Sequence, residues 1–336
     1  MRKDLGLYAA LILSSSLLAG SAGAIEPLGG SDFNVKAKVD LKTLDRANFV
    51  AVLTPVAKGE GASELVFYDF ADTLCDLLAK ESQGFTDQTG IKVKHVCVDG
   101  DTATQQIIAA EQSGSKPPVD VFFGPNNSMR AMTKAGAIAN LPLVTLVPQA
   151  QDLDQEAALR SRGFQHGGTV LPFHRNQTVI AYDAAKIAEP PSGLVEIFDY
   201  AKAHDLKVAV TNPTKGGSGS GFIESALLAL APEPMLLSTG EVGDGDGIFV
   251  LASTDKVEAA LLYVNFLMGD QVQIDKLEQT GSRTARLDLQ TAGKIPDRLA
   301  TYLVPDQLYH ERTRPRINGQ ISDAAADIFV AQVIAQ

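Results

Sequence analysis

The sequence lacks tryptophan, has only two cysteines, and is poor in aromatic side chains, at 6%. Two cysteines and five scattered histidines cannot supply the four ligands of a structural zinc site. After the N-terminus, no run approaches the ~18 uninterrupted apolar residues of a membrane-spanning helix. The net charge of −11 leaves few basic groups to neutralise phosphates, which argues against nucleic acid and against an anionic membrane surface as partners.

The remaining composition is that of an ordinary folded protein. The 336 residues are 45% hydrophobic and 21% charged, with 29 glycines and 16 prolines. These values exclude disordered, collagenous and coiled-coil classes. At roughly 100–200 residues per domain, the length predicts about two domains.

Residues 1–24 have the pattern of a cleaved signal peptide. A short basic start is followed by the mostly apolar Leu5–Ala19 and by Ala22-Gly23-Ala24, which places small residues before a cleavage site. We therefore expect a mature chain that starts at Ile25 and is exported to the periplasm. The alternative is an uncleaved anchor. Ser21 stands where a lipoprotein would carry its lipidated cysteine, so export without a lipid is predicted.

Cys75 and Cys97 are the candidate disulfide. An even pair of cysteines in an oxidising compartment favours a bridge, which would stabilise the fold by roughly 3 kcal/mol. Two buried free thiols that act as small hydrophobic groups are the alternative.

The hydrophobic pattern predicts an α/β protein. In the N-terminal segment, residues 25–63, Val35 to Leu41 alternate with charged residues as in an amphipathic strand. From residue 64 to 172, short apolar runs at 65–68, 91–98 and 119–123 alternate with helical segments, as in parallel βαβ units. Ligands of such sheets bind beyond the carboxyl ends of the strands.

The second half of the chain continues this alternation. Residues 173–245 form the next predicted segment, and 246–336 are expected to return to the first lobe. The predicted strands are 170–182, 206–210 and 247–251, and the predicted helices are 193–204, 223–231, 256–268 and 324–334.

The order of several segments resembles the type II periplasmic solute-binding proteins of ABC importers, of the sulfate-, iron-, thiamine- and polyamine-binding kind. The segments are Thr89-Gly90-Ile91-Lys92-Val93, Val119-Asp120-Val121, Thr178 to Asp183 with Pro190-Pro191, Asn212-Pro213 with Gly216 to Phe222, and Gly247 to Leu251 with Gly281-Ser282-Arg283. This resemblance implies a two-lobed fold with mixed, mainly parallel sheets. Only Ala231 to Asp246 stand where the family has further elements, so the second lobe is predicted to be truncated.

Two candidate ligand segments follow predicted strands in the first lobe. Tyr68 and Asp69 end the first strand, where an aromatic face beside a carboxylate suits an organic cation; helix capping is the alternative for an aspartate there. Asn126, Asn127 and Ser128 follow the third strand and offer side-chain hydrogen bonds, although capping explains Asn127 or Ser128 equally well.

The other candidates lie near the second lobe. His174 and Arg175 occupy the expected crossover between lobes, where Arg175 would pair with a carboxylate or phosphate unless it is a solvated surface residue. Asp246 lies on the return crossover and would meet a cation or serve only as a turn residue. The glycine-rich stretch Gly216 to Gly221 predicts a turn whose amides cradle a ligand, unless it is a flexible linker. Its predicted contacts are Asn212, Ser218, Gly219 and Ser220.

The sequence therefore predicts a periplasmic substrate-binding protein, a monomer that closes around a small solute and delivers it to an ABC permease. An organic cation of thiamine or polyamine type is slightly favoured over an oxyanion or carboxylate. We expect no enzymatic activity, cofactor or metal. An exported hydrolase and a degenerate homologue that binds no solute are the alternatives.

Overall fold

The computed structural model describes residues 33–59, 64–155, 157–162, 164–177, 182–191, 194–213, 217–229, 241–301, 303–315 and 319–334. The signal-peptide prediction for residues 1–24 and the expected start at Ile25 lie outside these residues. None of the described helices is long and apolar enough to cross a membrane.

The chain divides into two compact units. The larger unit contains the described residues of 33–176 and 244–303, and the smaller unit contains those of 177–243 and 304–334. Residues 304–334 group with the smaller unit, and the return of residues 246–336 to the first lobe stays a prediction. There, Ser322 donates a buried hydrogen bond of 2.6 Å to Glu224.

The larger unit is built on a mixed five-stranded sheet in the order β2-β1-β3-β9-β6. Strands β1 and β2 pair in parallel, as do β1 and β3, whereas β9 is antiparallel to both β3 and β6. The strands are β1 (Leu65–Asp69), β2 (Val93–Cys97), β3 (Val121–Gly124), β6 (Leu171–Pro172) and β9 (Gly247–Val250). The predicted α/β class and the predicted strands of this sheet are confirmed.

Helices cover this sheet. They are α1 (Phe49–Gly59), α2 (Cys75–Thr89), α3 (Gly100–Ser113), α4 (Met129–Lys134), α5 (Leu143–Leu146), α8 (Val257–Leu267), α9 (Asp270–Thr280), α10 (Asp288–Thr291) and α11 (Asp297–Ala300). The sequence predicts where α2 ends, because Gly90 adopts the left-handed φ of 76° that closes a helix. Short strands also occur: β4 (Arg160–Ser161) pairs with β5 (Phe164–Gln165), and β7 (His174–Gln177) pairs with β10 (Arg283–Thr284).

The core lies on both faces of the sheet. Phe67, Phe123 and Ile248 belong to one buried cluster, and Phe122 and Phe249 belong to another. Adjacent residues of a strand point to opposite faces, so strands buried on both sides must be continuously apolar. The runs in β3 and β9 satisfy this requirement.

The N-terminal segment differs from its prediction. Residues 33–40 form no strand, and the helix α1 that follows was not predicted. The alternation is nonetheless real, because Val35, Ala37 and Val39 pack against the core while the charged residues between them are exposed. The buried Glu258 carboxylate accepts hydrogen bonds from the backbone N–H groups of Lys38 and Val39, which replace the missing strand ladder.

In the smaller unit, the described elements are α6 (Leu194–Ala203), α7 (Gly217–Ala229), β8 (Glu241–Asp244), α12 (Asp306–Arg312), β11 (Thr313–Pro315) and α13 (Gly319–Phe329), with β8 and β11 paired in parallel. The helix predicted over 193–204 is confirmed, but the strand predicted over 206–210 is wrong. That stretch is irregular and largely exposed, so its apolar residues have no sheet to join. Residues 230–240 lie outside the described part of the chain, so the predicted truncation stays a prediction.

Candidate functional site

The sheet topology gathers five segments at one edge of the larger unit. The parallel strands β1, β2 and β3 end there, β6 runs in the same direction, and the antiparallel β9 starts there. Residues that follow β3 and β6 therefore lie close to the residue that precedes β9. Ligands of such sheets bind beyond these strand ends, which makes this edge the candidate site.

Asp246 links three of the segments. Its Oδ1 accepts a 2.9 Å hydrogen bond from the backbone N–H of Asn126, and its Oδ2 lies 3.3 Å from Nε2 of His174. The Asp246 side chain remains 22% exposed, so its carboxylate is accessible to solvent. The turn is close-packed, because a Cβ on Gly245 would lie 1.9 Å from the carbonyl oxygen of His174. Three of the predicted site residues, Asn126, His174 and Asp246, are thus in contact.

His174 lies against the core. It is 6% exposed, and its ring meets that of Phe123 edge-on with centroids 6.0 Å apart. Nδ1 of His174 is buried and has no hydrogen-bond partner among the described residues. The ring is therefore held by Asp246 on one nitrogen and by aromatic packing on its faces.

Asp69 lies at the same edge but is committed to other groups. Its side chain is fully buried, with Oδ1 accepting the N–H of Ala71 at 2.8 Å and Oδ2 lying 3.3 Å from Nε2 of His95. Tyr68 points to the opposite face of the sheet and packs edge-on against Phe122. The structure therefore does not bring Tyr68 and Asp69 together as the aromatic and acidic halves of one cation site.

Tyr68 instead lines a separate groove of about 480 Å³ on the other face of the sheet. Three lysines and one carboxylate share this groove: Lys94, Lys116, Lys256 and Asp120. Lys256 is paired, since its Nζ donates to Asp120 at 3.0 Å and to the carbonyl of Glu64 at 2.7 Å. This cationic lining is unsuited to a positively charged ligand.

Asn126, Asn127 and Ser128 form a single turn that leads into α4. Asn126 is half-buried and Asn127 is exposed, whereas Ser128 is buried and accepts a 3.0 Å hydrogen bond from Thr104. Ser128 makes no side-chain capping hydrogen bond to α4, so the capping alternative for Ser128 is not supported. Asn126 and Asn127 are the members of this turn with side chains accessible to a solute.

Arg175 is not the solvated surface residue of the alternative prediction. Its Nε donates a 2.7 Å hydrogen bond to the carbonyl of Thr284, and both terminal nitrogens are shielded from solvent. The guanidinium is therefore part of the β7–β10 pairing rather than presented at the edge. The two terminal nitrogens that would donate hydrogen bonds to an oxyanion are therefore buried.

Lys276 lies next to the paired strands β7 and β10, and it was not predicted from the sequence. It is fully buried in α9, where Nζ donates to the carbonyl of Phe173 and to Oε1 of Gln273 and lies 4.7 Å from the centroid of the Phe173 ring. Burial, together with the positive charge of Arg175, holds the pKa of Lys276 well below its usual value. A lone lysine in a polar helix carries no sequence signal for such burial.

The glycine-rich stretch in the smaller unit differs from its prediction. Gly217 to Gly221 form the first turns of α7 rather than a free turn. Gly219 is buried, and a Cβ there would lie 2.4 Å from the carbonyl oxygen of Thr211 and 2.8 Å from that of Asn212. The close approach that glycine permits is thus to the chain's own backbone. Ser220 is buried and Asn212 half-buried, while Gly216 and the Ser218 side chain lie outside the described part.

The disulfide prediction is confirmed, since Cys75 and Cys97 form a bridge with their Cα atoms 6.0 Å apart. A serine–histidine contact also occurs, with Oγ of Ser161 lying 3.3 Å from Nε2 of His166. Both side chains are buried, and desolvation lowers the pKa of His166 to about 4. Because both side chains are buried, this contact does not present a nucleophile and a base to solvent.

Part of the chain is similar to a known protein family. Residues 82–237, just under half of the chain, match the family model described as bacterial extracellular solute-binding protein. The resemblance predicted from the sequence is confirmed. No curated protein matches the chain.

Solved solute-binding proteins share the fold. An extracellular solute-binding protein from Bordetella parapertussis aligns at 14% identity with a TM-score of 0.62, covering 80% of this chain and 98% of its own. The spermidine/putrescine-binding protein of Streptococcus pneumoniae aligns at 13% identity and 0.56, covering 81% and 99%. The maltotriose-binding protein of Thermus thermophilus aligns at 15% and 0.54, covering 80% and 94%. At these identities the comparisons show the fold alone.

Proposed function

We propose that the protein is the exported substrate-binding component of an ABC importer, and that it binds a small solute without transforming it. The family match over residues 82–237 and the arrangement of the strand-end edge support this proposal. The bound solute then passes to a membrane permease. We also propose that the protein is a monomer in the periplasm.

The Asp246 carboxylate is the observation that carries the choice of ligand class. It is held in place by Asn126 and His174 and is 22% exposed, so an ammonium group can reach it. A fixed carboxylate gives an ammonium group a charge-assisted hydrogen bond, roughly twice as strong as a neutral one. We therefore favour an organic cation of thiamine or polyamine type, with Asp246, Asn126 and Asn127 as the contacts from the larger unit.

An oxyanion or carboxylate ligand is the less favoured proposal. The inward position of Arg175 removes the side chain on which that reading depended. The first turn of α7 supplies backbone N–H groups at a helix N-terminus, which is the remaining argument for an anion. Asn212, Ser218 and Ser220 stay candidate contacts, whereas the close packing of Gly219 against the 211–212 backbone argues against a ligand contact there.

The experiment is a calorimetric screen of the exported protein against putrescine, spermidine, thiamine, sulfate and maltose. We expect saturable binding of a cation and its weakening by at least about tenfold in Asp246→Asn, which corresponds to about 1.4 kcal/mol. Asp297→Asn, which removes an exposed carboxylate from the same unit, is the control and should bind normally. Wild-type cation affinity in Asp246→Asn would refute the site, and binding confined to sulfate or maltose would refute the ligand class.

A further inference from the structure

The disulfide lies beside a histidine at the edge of the sheet. Cys75 begins α2, Cys97 ends β2, and His95 stands two residues before Cys97 on the same face of that strand. A ring nitrogen of His95 and the two sulfur atoms all lie within 4.8 Å of one another. Three groups that bind thiophilic metals are therefore already gathered at one point.

A buried carboxylate fixes the histidine. Oδ2 of Asp69 lies 3.3 Å from Nε2 of His95, and the Asp69 side chain is fully buried. When Asp69 accepts the Nε2 proton, Nδ1 of His95 keeps its lone pair and can act as a ligand. Carboxylates that orient imidazoles in this way are the usual outer partners of metal-binding histidines. This observation is independent of the cysteines and also points to a metal.

We propose that reduction of the Cys75–Cys97 bridge converts this cluster into a zinc site with the ligands Cys75, His95 and Cys97. Zinc takes thiolate sulfur and imidazole nitrogen, and a three-ligand site leaves its fourth position to water or to another molecule. Cys97 is exposed and Cys75 is half-buried, so the fourth position faces solvent. This site differs from the four-ligand structural type that the composition excludes.

The conversion is a balanced redox and ligand-exchange sequence. A dithiol reductant gives two electrons and two protons to the S–S bond, which breaks to two thiols while the reductant becomes a disulfide. Each thiol then loses its proton as one Zn–S bond forms. Oxidation reverses both steps and releases zinc, so the bridge and the metal exclude each other.

The test is zinc titration of the full exported protein before and after anaerobic treatment with a phosphine reductant that is then removed. A chromophoric chelator reports zinc affinity, cobalt substitution reports thiolate coordination, and thermal unfolding reports binding to the folded state. We expect one zinc per reduced chain, a raised Tm only in the reduced protein, and a loss of affinity of at least about tenfold in His95→Ala. His204→Ala, which removes an exposed histidine, is the matched control and should bind zinc normally.

Each other outcome overturns the proposal. Equal zinc affinity in oxidised and reduced protein would place the metal elsewhere, and wild-type affinity in His95→Ala would remove the histidine from the ligand set. A reduced protein that is unfolded and stays unfolded with zinc would show that the cluster does not form a site. A Cys75→Ala/Cys97→Ala double variant separates these cases, because circular dichroism shows whether the chain folds without the bridge.

Discussion

Replacing Gly219 by alanine should destabilise the protein even though alanine is the better helix former. The new Cβ would lie 2.4 Å from the carbonyl oxygen of Thr211, which is backbone and cannot rotate away. Overpacking of this kind typically costs about 1–3 kcal/mol. The intrinsic gain from glycine to alanine in a helix is at most about 1 kcal/mol. We therefore expect a net loss of about 1–2 kcal/mol in the free energy of unfolding.

Gly84 provides the matched control. It lies in the middle of α2, and a Cβ there would meet nothing within 4 Å. Gly84→Ala should therefore stabilise the protein by about 0.5–1 kcal/mol. The same substitution in two helices is thus expected to change stability in opposite directions. Urea denaturation of both variants without ligand, followed by circular dichroism, measures the two free energies.

The outcome also decides what the glycine-rich stretch does. If Gly219→Ala were as stable as wild type and bound its solute at least tenfold more weakly, Gly219 would approach the ligand rather than the 211–212 backbone, and our reasoning from packing would be refuted. Loss of stability in Gly219→Ala with a gain in Gly84→Ala would show that glycine at 219 is required by the close approach of the 211–212 backbone and not by a ligand contact.

Two further predictions concern buried charges. Burial lowers the pKa of Lys276, so the folded protein binds fewer protons than the unfolded chain and its stability should rise with pH below about 10.5. Lys276→Met should lose this rise. Urea midpoints of both proteins between pH 7 and 10 check this, and parallel pH profiles would contradict it. Glu258→Ala should cost about 1–3 kcal/mol by removing the buried carboxylate that accepts the part-buried hydrogen bonds from the N–H groups of Lys38 and Val39, whereas Glu258→Gln should retain most of the stability. Proteolysis of residues 33–43 should accelerate in Glu258→Ala, and equal rates in both variants would contradict the role of Glu258.

The strands of the larger unit were predictable because local pattern and burial agree there. Runs such as Val121–Gly124 are buried on both faces, and only an apolar segment can occupy that position. The helix that follows β1 was predictable from its spacing and from its glycine at the C-terminus. In these places the sequence alone determines the element.

Prediction failed where another part of the chain decides the structure. The alternation of Val35 to Leu41 shows that one side of the segment is buried and the other exposed. A β-strand and an extended segment without strand partners both have this pattern. The segment is held by Glu258, which lies more than two hundred residues away in the sequence. Glycines 217 to 221 suit a loop by composition. They instead form the first turns of α7, and position 219 requires glycine because a neighbouring backbone comes too close for any side chain.

The candidate site was likewise predictable in part. Sequence order placed Asp69 and Asn126 at strand ends and His174 and Asp246 at the crossovers between lobes. The sheet topology brings Asn126 and His174 into contact with Asp246. What the order could not supply is direction: whether a side chain at a strand end faces solvent or the core depends on the register of that strand. Tyr68 and Asp69 are neighbours in sequence and lie on opposite faces.

The different burial of Asp69 and Asp246 has a chemical consequence at the carboxyl ends of the strands. Asp69 and Asp246 each hold a histidine through Oδ2 at 3.3 Å, but Asp69 is fully buried and Asp246 is 22% exposed. A buried carboxylate can only orient His95, whereas an exposed one can also receive a charged solute. We propose that the two aspartate–histidine pairs serve different partners. The His95 ring that Asp69 holds lies beside the two sulfur atoms of the disulfide, and Asp246 is the proposed solute contact. Zinc binding to the reduced protein and solute binding should therefore be separable by Asp246→Asn, which leaves the zinc ligands intact.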